Sequence, residues 1–280
     1  MANTKSPLLL LLLILTTLVI YTLYNDVASP GRGSSPVLTG YFSAIAQVPW
    51  SEIIDRYVQE TGVEIIAKYG STGQVLTLAS VAGGDIIAVA SIEDMRKAVE
   101  LGIVDNNTVE VVSCSVPAII VPRGNPAGIH TLRDLAKPGI RIGIGDPESV
   151  VIGRYAVELL KYNGLWDDVK GNIVVYADSF STLMSMLISG QGSLDAVIGW
   201  HVGYYWYPDK TELIMLSKEE VPRATCITVG VLEDSKYRDE ARKFIDYVVS
   251  GERIKVFDKY GYLDPSEVLE YAESVGGGLG

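Results

Sequence analysis

The sequence contains few of the side chains that most catalytic and metal sites use. Its 280 residues include two cysteines and two histidines, and charged residues make up only 20% of the chain. Cys114, Cys226, His130 and His201 are too few and too scattered for a recognisable zinc site. With 34 acidic residues against 23 basic ones and a net charge of -11, the chain also lacks the basic surface of a nucleic-acid binder. It does have 48% hydrophobic residues, enough to exclude disorder and to fill a large core.

Motifs for a catalytic nucleophile or a bound nucleotide are also missing. The segment Gly70-Ser71-Thr72-Gly73 does not match the G-x-S-x-G pattern of a serine hydrolase. The segment Gly143-Ile144-Gly145-Asp146 follows a predicted strand, but neither the third glycine of a dinucleotide site nor a Walker lysine comes after it. We therefore expect a binding protein without catalytic residues, without a cofactor and without a nucleic-acid partner.

The longest apolar run lies near the start of the chain, from Leu8 to Tyr24, and the one charge before it is Lys5. A run at this place that is apolar all round predicts a secretory signal or a membrane anchor. Its length is at the short end of the roughly 17–25 residues that span a bilayer. Val27-Ala28-Ser29 fits a cleavage site, whereas the Pro-, Gly- and Ser-rich residues 29–36 are typical of a tether. Both interpretations stay open, and we favour a retained anchor. Either one places the folded body outside the cytoplasm: a retained anchor attaches it to the membrane, and a cleaved signal leaves it secreted.

The cysteine pair has two interpretations in such a compartment. Outside the cytoplasm a disulfide between Cys114 and Cys226 can form and persist. Alternatively, the two are small buried residues in separate strands. The sequence leaves both open. Because no cysteine lies near the N-terminal run, we expect no lipid-modified cysteine as the anchor.

Predicted strands and helices alternate from residue 37 onward. Apolar periodicity predicts helices at residues 52–60, 151–162 and 180–188, and an apolar run from Ser115 to Val121 precedes a second unit. Such alternation is typical of an α/β protein with mainly parallel sheets. We expect two lobes joined by two chain crossings. The predicted divisions are a signal or anchor with its tether at 1–36, a first lobe at 37–120 with 224–265, a second lobe at 121–223, and a tail at 266–280.

Three turns at predicted strand ends each come just before a predicted helix. They are Ser43-Ala44-Ile45, Ser71-Thr72-Gly73 and the segment from Ser149 to Gly153. Ligands of open α/β sheets bind outside the carboxyl ends of strands, where helix N-termini offer unpaired N–H groups and a partial positive charge. Any one of these turns could be a plain helix cap. The three together predict a cleft that binds an anion.

The central part of the chain carries a series of linked motifs. They are Ile119 to Ala127, Leu132 to Ala136, Arg141 to Val150, Gly153 to Ala156 and Gly164 to Asp167, with Tyr69 to Gly73 upstream and Lys259 to Tyr262 downstream. Together they resemble the substrate-binding proteins of molybdate/tungstate ABC importers. The resemblance covers residues 38–262, and its central block is the most specific part.

This resemblance implies a two-lobed periplasmic-binding-protein fold of type II-like topology that closes on a tetrahedral oxyanion and delivers it to a membrane permease. Hydroxyls and backbone amides hold the anion, and we expect a monomer with molybdate or tungstate as the ligand. By position, the resemblance places a ligand hydroxyl on Thr72, with Ser71 beside it, and ligand amides on Ile152 and Phe180. The complete set of predicted ligand-binding residues is Ser43, Ile45, Ser71, Thr72, Ile152, Phe180 and Trp200.

The chain also departs from the family pattern. Ile45 stands where the family has a serine, so it offers only its N–H, unless Ser43 supplies the hydroxyl. Trp200 stands where the family has a cleft tyrosine, and its indole only donates. His201 is either a core or surface imidazole or a protonated group at the cleft.

A further departure is that the positions around Val150 and Val151 lack the carboxylates that some tungstate-binding members use. Together these departures leave the identity of the anion open. Another oxyanion such as sulfate is the alternative ligand. A tethered receptor or sensor that passes lobe closure to a separate signalling chain is the alternative function.

Overall fold

The computed structural model describes residues 36–189, 194–251 and 255–268 of the chain. The predicted N-terminal run, its cleavage site and its tether up to residue 35 lie outside these residues, as does the predicted tail from residue 269 onward. Within the described ranges, no helix is long and apolar enough to cross a membrane.

Two five-stranded sheets are formed by the described residues. The first has the order β2-β1-β3-β10-β4, with β1 at Val37–Ser43, β2 at Glu64–Gly70, β3 at Ile86–Val89, β4 at Glu110–Ser115 and β10 at Thr225–Val231. The second has the order β7-β6-β8-β5-β9, with β5 at Pro117–Pro122, β6 at Ile142–Gly145, β7 at Ile173–Ala177, β8 at Ala196–Trp200 and β9 at Thr211–Ile214. We call the structures built on these two sheets the first lobe and the second lobe.

Helices connect the strands of both lobes. Those of the described residues are α1 (Gln47–Thr61), α2 (Thr72–Ala82), α3 (Ile92–Glu100), α4 (Val151–Tyr162), α5 (Trp166–Val169), α6 (Phe180–Ile188), α7 (Gly203–Trp206), α8 (Arg238–Val248) and α9 (Lys255–Lys259). Short 3-10 turns lie at Ala44–Ala46, Asn106–Thr108, Leu132–Ala136, Lys170–Asn172 and Lys218–Glu220.

Each sheet is mixed but mainly parallel in direction, as expected: four of its strands run the same way and one crossing strand runs against them. In the first sheet β1 runs parallel to β2 and β3, whereas β10 runs antiparallel to β3 and β4. In the second sheet β6 runs parallel to β7 and β8, whereas β5 runs antiparallel to β8 and β9. The route of the chain is the reason, because β5 and β10 arrive from the other lobe. Each enters its new sheet from the side of the carboxyl ends of the parallel strands and therefore runs antiparallel to them.

The chain passes between the lobes twice, as predicted. Only Val116 separates β4 from β5, so the first crossing is a single residue. The return runs from β9 through the 3-10 turn Lys218–Glu220 to β10. The apolar run from Ser115 to Val121 therefore belongs to two strands in different sheets. The predicted α/β architecture with two sheets and two crossings is confirmed.

Aromatic packing holds the start of α1 against the first sheet. Phe42, near the end of β1, packs on Trp50 of α1 with 5.0 Å between ring centroids. Trp50 in turn packs edge-on against Phe257 of α9 at 5.2 Å. All three side chains are fully buried. The turn between β1 and α1 is therefore anchored on both sides by the core of the first lobe.

A disulfide joins Cys114 and Cys226 beside both crossings. The two residues face each other on the antiparallel strands β4 and β10, and both are buried. Of the two interpretations of the cysteines, the structure supports the disulfide. It links the ends of the two crossing strands on the side of the first lobe.

His201 lies at the hinge and is a neutral core imidazole. Its Nδ1 is 3.2 Å from the backbone N of Val116, and its Nε2 is 2.6 Å from the carbonyl O of Gly261. The amide of Val116 only donates and the carbonyl of Gly261 only accepts, so the ring proton is on Nε2. Burial lowers the pKa of His201 from its ordinary value. The alternative of a protonated His201 in the cleft is therefore wrong.

Candidate ligand-binding cleft

A cleft of about 930 Å³ opens between the two sheets. Its borders include the starts of α2, α4 and α6 and the 3-10 turn that leads into α1. Each of these helices follows the carboxyl end of a strand, which is where open α/β sheets bind ligands. The residues predicted from sequence to bind the anion all line this cleft: Ser43, Ile45, Ser71, Thr72, Ile152, Phe180 and Trp200.

The first turn of the cleft joins β1 to α1. Ser43 is the last residue of β1, and its hydroxyl makes no hydrogen bond to the helix that it precedes. Ile45 follows in the 3-10 turn Ala44–Ala46. Both residues line the cleft, so the turn offers the hydroxyl of Ser43 as well as the backbone of Ile45.

The second turn joins β2 to α2 and is capped by its own side chains. The Ser71 hydroxyl accepts from the backbone N–H of Gln74 at 3.4 Å, and the Gln74 side chain accepts from the backbone N–H of Ser71 at 2.9 Å. This capping box leaves the first-turn amides of Thr72 and Gly73 without intrahelical partners. The Thr72 hydroxyl makes no hydrogen bond within the described part of the chain, and the Ser71 hydroxyl can still donate its own hydrogen.

The second lobe contributes two more helix starts. At α4, the carbonyl of Val150 accepts from Gly153 at 3.0 Å and from Arg154 at 3.3 Å, and Val150 has no capping side chain. The amide of Ile152, one residue earlier, is therefore among the unused donors of this first turn. At α6, the Ser179 hydroxyl accepts from Thr182 at 3.1 Å, which leaves the amide of Phe180 free of an intrahelical partner.

The charge distribution at these four helix starts favours an anion. No acidic residue occurs in the first turn of α1, α2, α4 or α6. By contrast, α3 and α8 carry acidic pairs in their first turns, Glu93 with Asp94 and Asp239 with Glu240. Acidic side chains at a helix start compensate its partial positive charge. The starts of α2, α4 and α6 therefore leave that charge available to a bound group, whereas Asp94 of α3, which also lines the cleft, compensates the charge of its own helix.

Backbone packing sets the position of the α4 start. A Cβ added to Gly153 would lie 2.2 Å from the carbonyl O of Gly145, at the end of β6. Such a distance means that helix and strand are in direct backbone contact. The absence of a side chain at residue 153 lets the amides of α4 lie at the edge of the sheet.

Aromatic side chains form one wall of the cleft in the second lobe. Trp200, which is 3% exposed, packs edge-on against Tyr155 at 5.3 Å between ring centroids. Phe180 packs against Trp206 of α7 at 5.0 Å. Phe180 thus contributes its amide to the rim and its ring to the packing that holds α6 against α7.

Several lining residues were not predicted from the sequence. They are Lys97 and Asp94 of α3, Trp206 of α7, and Asp178 with its neighbour Ser179. Ser179 had a local signal, since it caps the helix predicted at 180–188. Asp178 directly precedes Ser179, whereas Asp94, Lys97 and Trp206 lie outside the predicted turns and reach the cleft through tertiary packing. Among the described residues, no cluster of His, Cys, Asp and Glu that could hold a metal ion is found.

The two sheets, the two crossings and the cleft between them define a two-lobed solute-binding protein. The chain belongs to the bacterial extracellular solute-binding protein family, whose family model matches residues 39–263. One relative is a binding protein of Haemophilus influenzae, which is 30% identical over 224 residues, or 80% of this chain and 89% of that protein.

Solved structures agree with this fold. The periplasmic molybdate-binding protein of Azotobacter vinelandii is similar with a TM-score of 0.69 and 16% identity, over 81% of this chain and 99% of that one. The sulfate-binding protein of Mycobacterium tuberculosis is similar with a TM-score of 0.70 and 18% identity, over 86% of this chain and 96% of that one. At these identities the likeness shows the periplasmic-binding-protein fold.

Proposed function

We propose that this extracellular solute-binding protein captures a tetrahedral oxyanion, molybdate or tungstate, between its lobes and delivers it to the permease of an ABC importer. The observation that carries the proposal is that three helix starts, those of α2, α4 and α6, surround one cleft together with the turn before α1. Each of the three has unused amide donors and no first-turn acid. Hydrogen bonds to a charged group contribute about 1.5–3 kcal/mol each, so several such donors suffice for tight binding.

The acidic character of the whole chain is compatible with this ligand. The net charge of -11 opposes long-range attraction of an anion. Neutral hydroxyls, amides and helix dipoles act only over the first turn, within the cleft itself. The site therefore binds by local geometry, and cavity size separates anions of equal charge.

Delivery to a permease fits the class of protein. Substrate-binding proteins of ABC importers work with a membrane permease, and closure of two lobes on a ligand gives the permease a surface to recognise. In this proposal the apolar run from Leu8 to Tyr24 keeps the protein at the outer side of the membrane or is removed on secretion.

Sulfate is the second candidate ligand. The similar sulfate-binding structure supports it, and so do Ile45 and Trp200, which differ from the pattern of the molybdate/tungstate binders. Sulfate is a tetrahedral dianion that would use the same donors.

Calorimetric titration of the purified protein with molybdate, tungstate, sulfate and phosphate tests the proposal. We expect molybdate or tungstate to bind with a Kd of about 1 µM or lower, that is, at least about 8 kcal/mol, and phosphate to bind far more weakly. Tight binding of sulfate with weak binding of both metal oxyanions would select the second candidate. Failure of all four anions to bind would contradict the proposed function.

The hydroxyl of Thr72 is expected to contact the anion directly. Thr72→Val keeps the shape of the side chain and removes the donor, so affinity should fall at least about tenfold, or about 1.4 kcal/mol. Thr77→Val is the matched control, because Thr77 lies on the same helix and its hydroxyl bonds to the carbonyl of Gly73 at 2.8 Å. Calorimetry on both variants compares them. Equal affinities of Thr72→Val and wild type would place the ligand elsewhere.

A further inference from the structure

A tyrosine near the end of the described chain contacts the first turn of the cleft. The hydroxyl of Tyr262 donates a hydrogen bond to the carbonyl O of Ile45 at 2.7 Å, across 217 residues of sequence. Tyr262 is only 4% exposed and Ile45 is half-buried, so the bond is largely shielded from solvent. The contact joins the segment after α9 to the turn where the chain has Ile45 in place of a serine.

The carbonyl of Ile45 lacks the hydrogen-bond donor that a regular helix would supply. In a continuous helix it would accept from the N–H of residue 49, but residue 49 is proline, which has no N–H. The hydroxyl of Tyr262 donates to this carbonyl instead. Without it, a partly buried backbone acceptor just before α1 would lose a partner.

The hydrogen bond to the Ile45 carbonyl also restrains the N–H of Ala46, because both groups belong to the same peptide. The carbonyl of Ile45 and the N–H of Ala46 belong to one planar peptide and point in opposite directions. The preceding peptide is held as well, because the carbonyl of Ala44 accepts from the N–H of Gln47. Both peptides that flank Ile45 are thus held in place, one by the turn itself and one by Tyr262.

Tyr262 is itself held on several sides. Its ring packs edge-on against Phe257 at 5.7 Å between centroids. The next residue, Leu263, exchanges two backbone hydrogen bonds of 2.9 Å with Cys114, and the carbonyl of Gly261 accepts from His201. Burial raises the pKa of Tyr262, so the hydroxyl keeps its proton and remains a donor.

From this geometry we infer that Tyr262 is a positioning residue of the anion site: it does not touch the ligand but holds the backbone of the turn Ser43 to Ala46 in the conformation that binds it. The inference rests on the proposed function. Ile45 offers no hydroxyl, so beside the hydroxyl of Ser43 this turn can contribute only its backbone amides, and Tyr262 holds the peptide that follows Ile45. Orientation of that backbone is what the bond from Tyr262 controls.

Tyr262→Phe removes the hydroxyl and leaves the ring. We expect the Kd for the best-bound anion of the four to rise five- to twentyfold. Tyr260→Phe is the matched control, because it also removes a tyrosine hydroxyl from this segment. The hydroxyl of Tyr260 donates to the carboxylate of Glu52 at 2.7 Å and not to the turn. The control should change the Kd less than twofold. Equal affinities of Tyr262→Phe and wild type would overturn the inference.

A spectroscopic measurement separates positioning from general loosening. In the free protein, Tyr262→Phe should shift the amide ¹⁵N resonance of Ala46, because the carbonyl that belongs to the same peptide loses its hydrogen bond. The resonance of Gly73, in the neighbouring turn, should stay in place. A uniform shift of both resonances, or none at Ala46, would contradict a positioning role.

A double-mutant cycle with Pro49→Ala tests the assigned partner. Alanine at position 49 supplies the N–H that proline lacks, so the Ile45 carbonyl gains an alternative donor. In that background Tyr262→Phe should raise the Kd less than threefold. An equal loss in both backgrounds would show that Tyr262 acts other than through this carbonyl.

The two proposals fail separately. A wild-type protein that binds none of the anions would contradict the proposed function, while the Ala46 resonance in the free protein would still decide whether Tyr262 orients the turn. Wild-type binding that Tyr262→Phe leaves unchanged would contradict only the role of Tyr262.

Discussion

Gly153→Ala is expected to reduce anion affinity at least a hundredfold, about 2.7 kcal/mol. The added Cβ would lie 2.2 Å from the O and 2.5 Å from the C of Gly145, and 2.7 Å from the C of Asp146. These are backbone atoms that cannot rotate away, so the start of α4 has to move off the end of β6. That movement displaces the amide of Ile152 from the cleft, and anion binding by fixed donors tolerates little displacement.

Gly171→Ala is the matched control for this variant. Gly171 lies in the same lobe, and a Cβ there would meet no atom within 4 Å. We expect its affinity to equal that of the wild type. The Gly153→Ala protein should remain folded, since overpacking typically costs about 1–3 kcal/mol and alanine regains about 1 kcal/mol of helix propensity. Circular dichroism and calorimetry on the same samples check both points, and affinity of Gly153→Ala within threefold of wild type would contradict the role of the α4 start.

Removing the disulfide is expected to lower the free energy of unfolding by about 3–5 kcal/mol. The bond closes a loop with a sequence separation of 112, and loop-closure entropy predicts about 4.7 kcal/mol for a loop of roughly this length. Cys114→Ala/Cys226→Ala removes it without leaving a free thiol. Denaturant unfolding of the variant and the wild type, both under oxidising conditions, measures the difference.

The single variants provide an internal control for the disulfide. Either Cys114→Ala or Cys226→Ala breaks the same bond, so each alone should lose nearly as much as the pair, and the effects should not add. Both cysteines are buried, so reductant should act only on unfolded molecules. A loss below about 1 kcal/mol in the double variant would mean that the cross-link adds little to stability.

Local patterns predict the two long helices of the second lobe, α4 and α6, and much of the cleft. The bounds of α4 and α6 agree with the predicted helices at 151–162 and 180–188, because apolar periodicity lies within one short segment. Apolar periodicity predicts that α1 starts at residue 52, although the helix begins at Gln47. Its first turn contains Pro49, and Ala46 before it supplies no capping side chain, so the usual start signal is missing.

Features that depend on distant residues could not be predicted. The change of sheet at Val116 occurs inside a continuous apolar run, and nothing local marks it. The bond from Tyr262 to Ile45 spans 217 residues, and Trp206 reaches the cleft through packing on Phe180. The seven predicted site residues do line one cleft, because strand ends followed by helices meet at one edge of an α/β sheet. Their contact with a ligand remains a prediction.

The strand order of the first sheet has a consequence for the order of folding. β10 lies between β3 and β4, yet it follows all the strands of the second lobe in the chain. The second lobe is one continuous stretch from β5 to β9 and can form as soon as it has been synthesised. The first lobe has to wait for β10 to insert, a slow non-local pairing. We therefore expect the first lobe, whose synthesis starts first, to complete its folding last. The hinge and its disulfide should form in the same late step.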